Sequence, residues 1–208
     1  MRMRSAVELE TLMREVARAL WAGECPKALC STLVEMARDS EPGSNVWRFA
    51  HRELALTVSD IEPWRASILA RRLLSVAPND HVGWATLALS QSLLGNLAYA
   101  VRCYERALAI APHQPRYQHN LGHLYDIALD QPERALPLLE RAHSAEPKCT
   151  HVAASLAHAL GRSGRAAEGL SVLRRAVQGG ATKDQTALLA WLEEEARDPG
   201  VALRSAGN

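Results

Sequence analysis

His119 and His123 stand four residues apart in a stretch with helical periodicity, and His151 and His158 stand two turns apart in another. Imidazoles at that spacing share one helix face and could hold a divalent metal. A metal wants more donors than this: Asp126 is the one acid at hand, and no thiol joins the set. The expectation is therefore no metal and no cofactor.

Four cysteines, Cys25, Cys30, Cys103 and Cys149, lack CxxC spacing and read as reduced thiols used for packing. A glycine-rich phosphate loop, HExxH, GxSxG, and kinase or deaminase patterns are all missing, so no enzyme is expected. The Glu193, Glu194, Glu195 run is a solvated helix face. With 24 basic and 23 acidic residues the net charge is +1, which excludes the basic stripe of a nucleic-acid-binding domain. No apolar run approaches the roughly 20 residues of a membrane span, and the start, Met1 to Ser5, leads into an amphipathic helix; the expectation is a cytoplasmic protein.

The elements that carry these residues follow from an internal period. Pro42, Pro78, Pro112 and Pro147 stand 36, 34 and 35 residues apart, and alanines lie five residues before three of them, at Ala37, Ala107 and Ala142. A period in this range means one supersecondary unit stacked on itself. Each unit reads as two amphipathic helices and a turn, as in Leu87, Ala88, Leu94 and then Leu97, Val101, Tyr104, Leu108. Small residues at Ala88, Gly122 and Ala157, and at Ala66, Ala100, Ala135 and Gly169, let paired helices approach closely. Trp84, Tyr104 and Tyr125 are packing residues. Gly23, Gly95 and Gly164 mark the turns, Pro26, Pro63 and Pro132 suit first helical turns, and Ser59 with Glu62 and Asp130 with Glu133 have capping-box spacing.

The copy from His81 to Pro112, with Trp84, Leu87, Ala88, Gly95, Ala100, Tyr104, Ala107 and Pro112, resembles a tetratricopeptide repeat. The next copy keeps Leu121, Gly122, Tyr125, Ala135, Leu139 and Ala142, with one extra residue expected in the loop between its helices. The resemblance implies an all-α, right-handed superhelical solenoid. Its repeats fall at about 11–42, 47–78, 81–112, 115–147 and 150–181, within a single domain over 1–197. A capping helix over 183–197 shields the last apolar face, and a disordered tail follows over 198–208.

In tetratricopeptide proteins the first helix of each repeat lines a concave groove. Carrying those slots over copy by copy selects Arg48, His51 and Arg52, then Arg116, His119, Asn120, His123 and Asp126, then His151, His158 and Arg162. Five of the eight histidines and four arginines gather there against one acid. The resemblance thus implies a protein or peptide partner carrying an acidic segment or free carboxylate, with Asn120 pairing to its backbone. The nearby arginines should hold histidine titration to lower pH. The clamp that some relatives use for chaperone C-termini is incomplete, since His51, Ala55 and Thr86 stand where it needs other residues. The expected function is a non-enzymatic adapter or scaffold. The alternatives are a self-assembling scaffold, with homo-oligomers, or an accessory subunit of an enzyme.

Overall fold

The structure, a computed structural model, describes residues 4–197, so the tail expected to be disordered lies outside the described residues. Eleven α-helices and no strand occur among the described residues. They pair in sequence: α1 (Ala6–Trp21) with α2 (Cys30–Asp39), α3 (Asn45–Val58) with α4 (Pro63–Val76), and α5 (His81–Leu93) with α6 (Leu97–Ile110). Then come α7 (Pro115–His123) with α8 (Pro132–Ala145), α9 (Thr150–Arg162) with α10 (Ala166–Ala176), and α11 (Lys183–Arg197). Contacts sort them into two compact units, Met1–Pro112 and His113–Asn208.

In the first unit the core gathers Leu9 and Val16 of α1, Leu33 and Met36 of α2, and Val46, Ala50 and Leu54 of α3. Chain entry into α1 is set by Ser5, whose hydroxyl accepts from Glu8 N while the Glu8 carboxylate takes the Ser5 N–H, a reciprocal cap. Ser44 caps α3, and Asp80 caps α5 by accepting from Gly83 N at 2.8 Å. The two capping boxes expected from spacing do not form. Ser59 closes the C-terminal end of α3 and donates back to Leu56 O, because α4 begins at Pro63, which leaves Glu62 as its cap. Asp130 likewise lies one residue before the true cap, Gln131, of a helix that starts at Pro132. Neither side chain stands at the N-cap, so neither can reach the N3 N–H that a capping box satisfies. Pro26 opens a short 3₁₀ turn, Pro26–Leu29, rather than an α-helix.

In the second unit the close approaches are visible at glycine. A Cβ on Gly122 would lie 2.7 Å from Leu139 Cγ, and one on Gly169 would lie 2.7 Å from Ala157 O. α11 closes this unit. Leu192 is fully buried with Leu173, Ala157 and Ala166, and the Trp191 ring lies against Gly161, where a Cβ would come within 2.5 Å of it. That is the capping role expected of residues 183–197.

The extra residue of the fourth hairpin is not in its loop. α7 continues directly into a π-helical stretch, Leu124–Ala128, and the addition is absorbed as one wide turn. The bond that closes the turn in the first, third, fourth and fifth hairpins records it. Glu24 N donates to Ala19 O, Asn96 N to Gln91 O, and Arg165 N to Leu160 O, each reaching back five residues; in the fourth hairpin Gln131 N reaches back six, to Tyr125 O. Gly23, Gly95 and Gly164 take left-handed backbone in their turns, and Asp130 holds that slot in the fourth with φ of 55°.

Tyr104 and Tyr125 are buried as packing residues, whereas Trp84 is half-buried and donates from Nε1 to Pro78 O at 2.8 Å. Cys103 is buried, but Cys25 is exposed in the first inter-helix loop. All four cysteines are free thiols.

Candidate functional site

α7 and α9 carry seven of the expected site residues in the second unit, and the π-helical stretch after α7 adds Asp126. His119 of α7 and Ser155 of α9 are hydrogen-bonded, Nε2 to Oγ, at 3.0 Å. The His119 and His123 rings are 6.1 Å apart and tilted. His151 and Arg116 are exposed, and neither has an acid partner among the described residues. Arg116 stands one turn before His119 on α7, so its charge flanks the imidazoles. Asn120 is half-buried on the same helix and lowers the cost of charging His119 by hydrogen bonding to it.

Asp126, His158 and Arg162 are different in kind. The Asp126 carboxylate is almost wholly buried, with His158 Nδ1 2.6 Å from Oδ2 and Arg162 Nη1 3.1 Å from Oδ1. Arg162 also donates to the Asp126 carbonyl and pairs with Asp130. Both acids belong to the inserted turn and its exit, so Arg162 fastens the π stretch to α9. An ion held at both faces of its fork is not available to a ligand, and removing it would strand a buried carboxylate. The expected lone acid of the groove thus engages two of the expected site residues, the cation Arg162 and the imidazole of His158.

The first unit shows the same economy. Arg52 is paired with Asp80, the buried cap of α5, through Nε at 3.1 Å and through Nη2. Arg48 donates to the side chain of Asn45 on its own helix. His51 does not join them at the surface: it is 4% exposed, its ring is stacked on Trp47 at 3.7 Å, and its Nδ1 is 2.9 Å from Trp47 O. Slot counting missed this because it places a residue on a helix face without knowing what its neighbours bury.

His51, His119 and His123 all titrate below the usual histidine range, and in each the largest cause is loss of hydration. Arginine contributes only at His51, through Arg72; at His119 and His123 the secondary push comes from other imidazoles, His123 and His151 on the first and His158 on the second. Asp126 pulls His123 the other way. The cause expected from sequence, nearby arginine, is therefore minor. These three imidazoles are neutral at pH 7. No group of three His, Cys, Asp or Glu is arranged to hold a metal among the described residues. No helix there is long and apolar enough to cross a membrane.

The fold is that of tetratricopeptide-repeat proteins. YrrB, described as a TPR protein with an unusual peptide-binding site, superposes with a TM-score of 0.64 at 17% identity over 86% of this chain and 100% of its own. A thermophilic TPR protein of Thermus thermophilus superposes at 0.66 with 18% identity, over 89% and 98%. No protein-family model matches the chain. In sequence it is similar to protein FlbA of Caulobacter vibrioides, 28% identical over 151 residues, which is 72% of this chain but 25% of FlbA; the chain spans about a quarter of that relative's length.

Proposed function

We propose that this chain is a non-enzymatic adapter that holds an acidic segment of a partner protein on the α7/α9 face. The observation that carries this is the composition of that face once internal pairs are removed: Arg116 and His151 remain exposed without an acid partner among the described residues, beside the exposed His123, which only the buried Asp126 faces, and the half-buried His119 and Asn120. A face of donors with no acceptor of its own charge suits a carboxylate. The peptide-binding site of YrrB on the same fold supports a peptide as the occupant.

The test is titration calorimetry with an acidic peptide, Asp and Glu in an otherwise neutral sequence. Affinity should rise as pH falls below about 6.5, where His119 and His123, whose pKa values burial lowers, gain charge, and should fall with salt. Both effects should vanish in the Arg116→Ala, His119→Ala double variant. Affinity indifferent to pH, salt and both substitutions would overturn the proposal.

A further inference from the structure

The first unit carries an open apolar groove of about 820 Å³. α2 and α4 form its walls and α3 its floor, where Trp47, His51 and Leu54 lie. α2 and α4 each pack on α3 and hardly on each other, so a cleft runs between them above the buried Trp47, His51 and Leu54 of α3. Between α4 and α6 the Tyr99 ring is held by the guanidiniums of Arg71 and Arg102 at 5.7 and 5.6 Å. The α2/α4 groove has no such filler.

Two features show that this groove is more than a packing defect. Trp64 and Ile68, on the wall made by α4, are 58% and 47% exposed, which leaves large apolar surface in water. Contiguous apolar exposure of this kind marks a contact surface. The charged groups around it are of one sign: Arg38, Arg65 and Arg72 line the groove, and no acid does. Arg38 is held by Asp39, whose side chain is 10% exposed, at 2.7 Å; Arg65 rests on Glu62 in a surface pair that is readily exchanged, and Arg72 has no acid partner among the described residues. The floor adds no charge, since His51 is buried and neutral.

We propose that the α2/α4 groove docks an amphipathic helix of a partner protein, whose apolar stripe covers Trp64 and Ile68 and whose carboxylates meet Arg72, Arg65 and Arg38. The volume lies within the range of pockets that bury a ligand's side chains. Apolar residues at i, i+3, i+4 and i+7 would fill it in the manner of a helix laid in a groove, and arginine forks favour carboxylates on the flanks. This surface is separate from the α7/α9 face and does not depend on it.

The experiment uses a labelled synthetic helix with leucines at those spacings and glutamates on its flanks, followed by fluorescence anisotropy with the full chain. The chain should bind it. Ile68→Asp should weaken binding at least about ten-fold and Arg72→Glu by about ten-fold. The Arg116→Ala, His119→Ala variant should bind unchanged, which separates this surface from the one proposed above. Both groove residues are exposed, so the variants should fold, with helical circular dichroism as the control. Equal binding of a lysine-flanked helix, retention in Ile68→Asp, or no binding at about 1 mM peptide would overturn the proposal. So would anionic vesicles binding in its place, or self-association of the chain that Ile68→Asp abolishes; the first would assign the groove to lipid, the second to another copy.

Discussion

The hairpins α5/α6 and α7/α8 are copies of one unit that differ by a single residue, and they handle the same turn in different ways. In the first, the chain leaves α5, takes left-handed backbone at Gly95, and closes with a five-residue reach. In the second, the turn keeps its shape with Asp130 in the glycine slot, and the added residue is accommodated upstream by widening the helix. The turn is the stiffer element, because its geometry fixes where the second helix starts. A helix can absorb a residue in one π turn and resume its phase. The widened turn is also where the protein places its most buried charge, Asp126, with Arg162 and His158 reaching across from α9. An insertion that disturbs backbone bonding has been secured by side chains from the next hairpin.

Arg162→Met should break that comparison most severely. It leaves Asp126 buried beside one imidazole, at a cost of about 3–5 kcal/mol in urea unfolding. Arg52→Met should cost less, because Asp80 still accepts from Gly83 N. Equal costs would show that the π turn needs no fastening. Gly122→Ala should cost about 1–3 kcal/mol, since the new methyl meets Leu139 at 2.7 Å, a contact that the corresponding slot at Ala88 already accommodates in the α5/α6 hairpin. Deleting Ile127, an exposed residue of the wide turn, should return the closing bond to a five-residue reach and change stability by no more than about 1 kcal/mol. A larger loss would mean that the π turn is required by the packing on α9.

The smallest effect is a pH dependence. The pKa values of His51, His119, His123 and His143 are lowered by burial, so the unfolded chain binds protons at a pH where the folded chain does not. Their contribution is full above the unfolded value near 6.5 and is lost as pH falls through the lowered folded values. Urea midpoints should therefore decline from pH 7.5 to 5.5, and His51→Phe should flatten the decline. An unchanged slope in that variant would place the titration elsewhere.

Hairpin number, the turn glycines, the small contact residues and the closing helix were all legible in the sequence, because each is fixed by local spacing and by the need to bring helices close. The capping boxes were not, since Ser59 and Asp130 match the motif's spacing but the helices start later, at Pro63 and Pro132, with Glu62 and Gln131 as their N-caps. The candidate site was legible only in part. Repeat slots placed His119, His123 and His151 on a shared region, but the pairing of Arg52 with Asp80, and of Arg162 with Asp126 and Asp130, depends on contacts 28 to 36 residues apart. The exposed groove beside Trp64 had no signal in a periodic pattern, which reports what a helix can bury and not what its neighbour leaves uncovered.

Two of the five tryptophans carry an imidazole neighbour, Trp47 with His51 in the first unit and Trp191 with His158 in the second, at ring separations of 3.7 and 5.4 Å. Indole emission responds to the groups packed on its ring, so each unit contains its own optical reporter. Single-tryptophan versions of the chain would then read the two units by colour and intensity alone. The Trp191 version would report on the docking of α11 against Gly161 and His158 of α9, and so on the closed end of the second unit, without any label attached.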